Sequence, residues 1–355
     1  MAFQLTDEQL NAVNIIRERL LISQVAVLAG YAGTGKGVTI SHLAEHLGYR
    51  NIKYVAFTGT AAKEINKKNP SQQATTIHRL IYNVVVDEQT KEYEFQLKPQ
   101  SDLAGIDLIV VDEYSMVNGS MMKDLQSFGV PIILVGDMFQ LPAVDKNDPN
   151  PYWNYYDVQL THVHRQALDS PVLKLATDIR EGKIIKPGIY GVNDEVYIGR
   201  KSDLADGWYR PEVQFLCGTN ATKDRINEKI SGAEPKHKDK IIFLKNDWST
   251  GITNGTMAQL DYKMKIGRNK YKLNGTTFDG IELKDYEGYY KKAPTFFFQS
   301  FEKAYAITVH KAQGQTIDAP IVIVDESSLF GEDADRWLYT AVTRSTGNHK
   351  LALLR

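Results

Sequence analysis

The sequence predicts an α/β protein of two parallel-sheet domains, one with a small β-hairpin insertion and the other with a β-barrel insertion. At 355 residues the chain is too long for one compact core. Short β-branched runs recur between helix-length segments, as parallel strands buried on both faces do. Two stretches break this alternation with period-two patterns bounded by turn residues.

Lys plus Arg (42) nearly balance Asp plus Glu (43), giving a formal net charge of -1, so any polyanion must be met by a local patch. Cys217 is the single cysteine. It rules out an internal disulfide framework or a cysteine-based metal site, and its apolar surroundings read as core. No run has the length of a membrane span and the N-terminus lacks a signal-peptide pattern, so the expected location is cytoplasmic, with no membrane partner.

The elements follow in order. Thr6-Asp-Glu-Gln9 is a capping box opening the first helix. Gln24 to Leu28 is a strand-length apolar run, and Val38 to Leu47 has helical spacing, stopped by Gly48. Between them, Ala29 to Thr39 reads Ala-Gly-Tyr-Ala-Gly-Thr-Gly-Lys-Gly-Val-Thr. This meets the phosphate-loop pattern at Gly30, Gly35 and Lys36, but Gly37 stands where a magnesium-binding hydroxyl belongs. Strand, loop, lysine and helix in this order predict the phosphates of a nucleoside triphosphate on backbone N–H groups at a helix N-terminus, with Lys36 on the outer phosphates. Ala32, Gly33 and Thr34 complete the loop.

Further strands are expected at 52–57, 107–111, 131–135, 213–217 and 319–324. Two of them end in Asp112-Glu113 and Gly136-Asp137. Ligands bind at the carboxyl ends of strands in open α/β sheets, so these residues should line the crevice beside the loop. Tyr82 to Phe95 alternates around Asp-Glu-Gln-Thr and reads as a protruding hairpin. Lys238 to Phe298 is strand-rich, with turn signals at Asn254-Gly255 and Asn274-Gly275, and reads as a small barrel. The aromatic group Tyr152 to Tyr156 suits core area better than base stacking. Lys63, Lys67 and Lys68 form a basic stretch, of a kind that is more often only a solvated helix face.

Seven motif words then stand in sequence: Thr58-Gly-Thr-Ala-Ala-Lys63, Thr75-Thr-Ile-His78, Asp112-Glu-Tyr-Ser-Met116, Gly136-Asp-Met-Phe-Gln-Leu-Pro142, Val163-His-Arg165, Tyr305-Ala-Ile-Thr-Val-His-Lys-Ala-Gln-Gly-Gln-Thr316 and Tyr339-Thr-Ala-Val-Thr-Arg344. In this order they resemble the motifs of superfamily 1 DNA helicases, in the RecD/Dda branch, from Leu5 to Arg344.

The resemblance implies two RecA-like motor domains, residues 1–80 with 101–165 and residues 166–235 with 300–355. The hairpin would occupy 81–100 as a strand-separating pin, and an SH3-like barrel 236–299. ATP would bind between the motor domains, with Asp112 holding Mg2+, Glu113 polarising the attacking water and Gln140 sensing the γ-phosphate. Arg165 and Arg344 match the arginine fingers. Gln9 matches an adenine-reading glutamine, the capping role remaining its alternative, and Gly314 joins the nucleotide set. Thr58, Thr60, Lys63, Thr76, His78, Thr308 and His310 fall in words that contact single-stranded DNA, where small hydroxyls hold phosphates without reading sequence; a threonine after a strand is as often a plain cap.

The expected function is ATP-driven translocation on single-stranded DNA, 5′ to 3′ by resemblance, with unwinding of forked DNA by a monomeric motor. The short segment before Gln9 predicts no added N-terminal domain. The alternative is an ATP-binding translocase or switch with weak hydrolysis, because Gly37 supplies no magnesium ligand. Tyr114 also departs from the family, which carries a small residue after the acidic pair.

Overall fold

The computed structural model describes residues 5–46, 48–86, 93–142, 147–163, 170–191, 195–244, 254–261, 282–285, 290–292 and 301–355. The chain forms two compact units, Met1–Asp169 and Ser170–Arg355.

In the first unit the strands are β1 (Val25–Gly30), β2 (Ile52–Ala56), β3 (Thr75–Thr76), β4 (Tyr82–Val86), β5 (Tyr93–Leu97), β6 (Leu108–Asp112), β7 (Ile132–Gly136) and β8 (Val158–Leu160). The helices are α1 (Asp7–Ile22), α2 (Lys36–His46), α3 (Gly59–Lys68), α4 (Ile77–Ile81) and α5 (Gly119–Gln126). Six of the strands form a parallel sheet in the order β3-β2-β6-β7-β1-β8. The strand runs read from sequence fall within a residue or two of these spans.

Strand parity explains why those runs lack polar alternation. Val25, Val27, Ile109, Val111, Ile132 and Leu134 face one core cluster. The intervening Ala26, Leu28, Leu108, Val110, Ile133 and Val135 face the other, beneath α1 and α2. Every second residue is thus apolar on each side, and the strands read as continuous apolar runs. Gly48, expected to stop α2, has φ +70°, the left-handed conformation that ends a helix without a Cβ penalty.

Where the hairpin is expected, β4 and β5 pair antiparallel, with Tyr82 opposite Leu97 and Val84 opposite Phe95. Its Asp-Glu-Gln-Thr tip lies outside the described residues.

The second unit contains β9 (Gly188–Tyr190), β10 (Val196–Gly199), β11 (Gln214–Cys217), β12 (Lys240–Phe243), β13 (Met257–Asp261), β14 (Glu282–Asp285), β15 (Tyr290–Lys292), β16 (Phe301–Lys303), β17 (Ala306–Thr308), β18 (Ile321–Val324) and β19 (Leu351–Leu354). Its helices are α6 (Pro171–Arg180), α7 (Asn220–Ser231), α8 (Val309–Ala312) and α9 (Ala334–Val342). One sheet runs β17-β11-β18-β19-β10-β9 and is parallel except where edge strand β9 meets β10. Cys217 is buried in this sheet, and burial pushes its thiol up to about 12, as for an inert core residue.

A second, antiparallel sheet of the order β15-β14-β13-β12-β16 fills the region expected to hold a barrel and extends to Lys303. Of the two turn signals there, Gly255 has φ +84°, as an Asn-Gly turn requires, and Asn274-Gly275 lies outside the described residues. Glu302 of β16 accepts from Lys223 of α7 at 2.6 Å and Lys311 of α8 at 3.3 Å, tying this sheet to its own unit. Among the described residues, no helix is long and apolar enough to cross a membrane.

Leu134 is fully buried at the centre of the first sheet. Leu134→Ala should lower the stability of this unit by about 2–5 kcal/mol through lost burial and a residual cavity, read from amide exchange in β1 and β7. A loss below about 1 kcal/mol would show that the site collapses around the deletion.

Candidate nucleotide and nucleic-acid sites

The first candidate site is a consequence of register. Asp112 of β6 pairs with Val135 of β7, and Val135 pairs with Leu28 of β1. The acidic pair, the Gly136-Asp137 corner and the glycine loop therefore emerge side by side at the carboxyl ends of three adjacent strands.

The loop bends as its glycines allow, with φ +80° at Gly33 and +78° at Gly35. Gly30 is required by packing, since a Cβ there would lie 2.8 Å from Thr34 Oγ1 and 3.2 Å from Leu160 Cβ. Thr34 is buried and its hydroxyl donates to the Tyr31 carbonyl. Lys36 Nζ donates to the Gly30 and Tyr31 carbonyls at 2.7 and 3.1 Å. Its ammonium thus curls over the loop.

Gln9 takes the capping role kept open for it, and its side chain also reaches the phosphate loop. Its Oε1 accepts from Thr6 N, and its own N–H donates to Thr6 Oγ1, so the capping box is formed. Its Nε2 donates to the Thr34 carbonyl, which sets the side chain against the phosphate loop. At Gly37, no atom beyond its own helix and chain neighbours lies within 4 Å of where a Cβ would stand, among the described residues. The nearby Thr39 hydroxyl donates back to the Gly35 carbonyl and is turned away from that space.

Asp112 Oδ1 accepts from Glu113 N at 3.0 Å. Although Asp112 keeps some surface at the strand end, enclosure by protein pushes its carboxyl up to about 6, assisted by the Glu113 charge and opposed by Lys36 and Lys68. Lys68, read from sequence only as part of a basic stretch, therefore adds positive potential at this carboxylate. Glu113 has φ +52°, an uncommon conformation for a non-glycine residue and one found at functional turns. Glu113 Oε2 and Gln140 Oε1 are buried acceptors without a hydrogen-bond partner among the described residues. Orphaned acceptors of this kind mark a place where a donor or cation belongs. No group of three or more metal-ligating side chains occurs among the described residues. A magnesium ion needs none, because it binds through one or two carboxylates, phosphates and waters, so Asp112 and the orphaned acceptors fit it.

Tyr114 is explained by packing. A Cβ at Gly136 would lie 2.7 Å from Tyr114 Cδ1, so the fully buried ring fills the space above a glycine. Asn150 Nδ2 donates to the Tyr114 carbonyl and holds the turn that carries Glu113. Of the aromatic group nearby, Tyr152 packs on the core while Tyr155 and Tyr156 stay exposed.

The candidate DNA-contacting residues share a local design. Thr58 lies just beyond β2, Thr76 and Thr308 end β3 and β17, and each caps a helix, their hydroxyls accepting from Ala61 N, Arg79 N and Lys311 N. Thr60 Oγ1 is buried with no partner among the described residues, and Lys63 is exposed. The rings of His78 and His310 lie among aromatic neighbours, and burial holds both below the usual histidine range.

In the second unit, Gly314 has φ +72°. Arg344 is buried, with Nε donating to the Thr340 carbonyl and Nη1 to the Gln315 carbonyl. Arg165 lies outside the described residues. Sequence reading passed over Glu326, whose carboxylate accepts from Gly218 N, Thr219 N and the Thr222 hydroxyl at the start of α7. Its partners stand more than a hundred positions earlier, and no local pattern announces such a contact.

Comparison with known proteins agrees with this geometry. The family model described as an AAA domain matches residues 4–200, and that of the UvrD-like helicase C-terminal domain matches 303–353. The ATP-dependent RecD2 DNA helicase of Deinococcus radiodurans is 27% identical over 96% of this chain and 48% of its own length. This chain thus spans about half of that relative. The ATP-dependent DNA helicase Pif1 of Campylobacter jejuni is 25% identical over 95% of this chain and 90% of its own. Among solved structures, a Pif1 helicase described at forked double-stranded DNA superposes with a TM-score of 0.63 at 20% identity, covering 99% of this chain and 92% of the other. Bacteroides Pif1 bound to single-stranded DNA gives 0.60 at 19% identity, with the same coverage. At such identities the superpositions establish the fold. With its phosphate loop, acidic strand end and ordered motif words matched on the same stretch, the chain belongs to the AAA-domain family, in the RecD- and Pif1-like group of superfamily 1 helicases.

Proposed function

We propose that this protein is an ATP-dependent DNA helicase that translocates 5′ to 3′ on single-stranded DNA and opens forked duplexes. One observation carries the reading most: Glu113 and Gln140, the groups hydrolysis needs, keep buried acceptors without a partner among the described residues, in the same unit as the phosphate loop. A protein using ATP only as a structural ligand has no use for them. The RecD2 and Pif1 relatives, described as ATP-dependent DNA helicases, support the same activity, and the 5′ to 3′ polarity follows from the family resemblance of the motif words.

In this reading the N–H groups at the start of α2 and the Lys36 ammonium hold the phosphates. Lys36 must then exchange its loop carbonyls for phosphate oxygens. Glu113 takes the proton of the attacking water, and Gln140 orients on the γ-phosphate. Asp112 would hold magnesium, with water in place of the hydroxyl that Gly37 lacks; the ion supplies charge neutralisation at the phosphates. Arg165 and Arg344 are proposed to stabilise charge on the transferred phosphoryl group. For Arg344 this requires release of its carbonyl partners in α9 and at Gln315. Gln9 and Gly314 complete the nucleotide contacts.

The threonine caps at 58, 76 and 308, with Thr60, Lys63, His78 and His310, are proposed to line the DNA path. We assign the motor domains to 1–80 with 101–165 and to 166–235 with 300–355, the ribbon at 81–100 to a strand-separating pin, and the insertion at 236–299 to an SH3-like barrel. The protein is expected to act in the cytoplasm as a monomer. A translocase or switch with weak hydrolysis remains the second reading, favoured by the bare helix start at Gly37.

ATP hydrolysis with and without single-stranded DNA, followed by unwinding of 5′- and 3′-tailed duplexes, separates these readings. DNA-stimulated hydrolysis with 5′-tail-dependent unwinding is expected. Hydrolysis without unwinding would identify the translocase, and absence of hydrolysis the switch. Gly37→Thr, which meets open space, should raise turnover several-fold; a strong ATPase unchanged by it would show that position 37 does not limit the rate.

Asp112 keeps its proton to about pH 6 in the folded protein, against about 4 for an unperturbed aspartate. Across that window the folded state binds more protons, so stability falls as pH rises, and the cost persists above it. Asp112→Asn should therefore raise the unfolding midpoint at about pH 8 and lose this gain below about pH 4, while abolishing hydrolysis. An unchanged midpoint at about pH 8 would contradict the assigned burial cost.

A further inference from the structure

A two-stranded ribbon has little stability of its own, so the direction in which β4 and β5 point depends on how their feet are fastened. Both feet are fastened here. At the start of β4, Tyr82 OH donates to Asp124 Oδ2 at 2.6 Å. Asp124 stands on α5, which buries Met121, Met122 and Leu125 in the core of the first unit. Beyond β5, Lys98 Nζ donates to the Arg79 and Leu80 carbonyls at 2.9 and 3.0 Å, and Lys98 N to the Ile81 carbonyl, closing the C-terminal end of α4.

Between these polar contacts lies a chain of rings. His78 meets Phe57 at 6.1 Å, Tyr82 at 5.8 Å and Phe95 at 5.3 Å between centroids, and Tyr82 meets Phe95 at 5.9 Å. Such aromatic pairs hold a preferred tilt. Phe57 directly precedes Thr58, and His78 follows Thr76 by two residues. The rings therefore connect the ribbon to the segments bearing two threonine caps proposed to grip DNA. The cross-strand partners Tyr82 with Leu97 and Val84 with Phe95 place the apolar side chains on one face, where Phe95 and Leu97 remain 42% and 43% exposed.

We infer that Tyr82 and Asp124 are positioning residues that fix the angle of the hairpin on the first unit, so that movement of the threonine caps along DNA is delivered to the fork. This rests on the helicase reading for its consequence, but not for the anchoring itself. A tyrosine ring alone would satisfy packing at the foot of β4; the hydroxyl bonded to a carboxylate on a separate core helix adds a directional constraint. His78, half-buried among the rings, serves as the spacer between cap and hairpin.

Tyr82→Phe removes only the hydroxyl, Asp124→Ala removes the acceptor, and Asp124→Asn retains an acceptor oxygen. Two readouts are needed: amide exchange in β4 and β5, and base pairs opened per ATP hydrolysed on a tailed duplex. Tyr82→Phe and Asp124→Ala should speed hairpin exchange about tenfold and lower base pairs per ATP about fivefold, with DNA-stimulated ATPase unchanged within about twofold. Asp124→Asn should recover most of both. Unchanged hairpin exchange would overturn the anchoring, and a parallel fall in ATPase and unwinding would overturn the positioning role. If the parent protein hydrolyses ATP but opens no duplex, the helicase reading fails, and the exchange measurement still decides whether Tyr82 and Asp124 anchor the hairpin.

Discussion

The constraint on which the site depends is the parallel register of β1, β6 and β7. Leu28, Val135 and Asp112 stand level across three strands buried on both faces. A two-residue slip of β6 would move Asp112 about 7 Å along the strand direction. The next two features follow from that alignment: the loop turns into α2 where the first strand ends, and the Glu113 turn lies above Gly136, which is bare because the Tyr114 ring occupies the room a side chain would need. The placement of the candidate catalytic residues is therefore inherited from sheet packing, and the local loops adjust only the last few ångströms.

Against that rigid frame, several polar groups are left in costly states. Glu113 holds a left-handed backbone conformation, Asp112 is a carboxyl pushed toward neutrality, and two buried acceptors lack partners among the described residues. Each opposes folding, and the buried carboxyl and the two acceptors would be relieved by a ligand that brings positive charge or donors. The expected result is coupling between nucleotide binding and stability. Gly37 acts in the opposite sense, since it removes a potential ligand without adding strain. The departure at the phosphate loop therefore leaves the architecture of the loop unstrained.

Much of this was legible in the sequence, for physical reasons. Buried parallel strands announce themselves as unbroken apolar runs, so Gln24 to Leu28 and Pro131 to Val135 could be placed within a residue or two. The glycine loop was legible because its backbone must turn left-handed at Gly33 and Gly35. The capping box at Thr6 and Gln9 was likewise readable, being a contact three residues apart. Contacts made across the fold were not. Glu326 capping α7, Tyr82 reaching Asp124 and Lys68 adding its field to Asp112 join residues that no periodicity connects. Tyr114 was noticed as an anomaly, but its reason lies in Gly136 on a neighbouring strand. The threonines at 58, 76 and 308 were marked for DNA on motif words, while the structure displays their helix-capping bonds, and the same hydroxyl geometry suits either use.

A crystal structure with ADP, aluminium fluoride and magnesium tests the central claim most directly, because it locates the phosphoryl group relative to the aligned strand ends. The expected result is a fluoride group between the Gly30 to Gly37 loop and Asp112, with a water at Glu113 and the Gln140 side chain within hydrogen-bonding distance. A nucleotide bound away from these strand ends, or one leaving the Glu113 and Gln140 acceptors unpartnered, would contradict it.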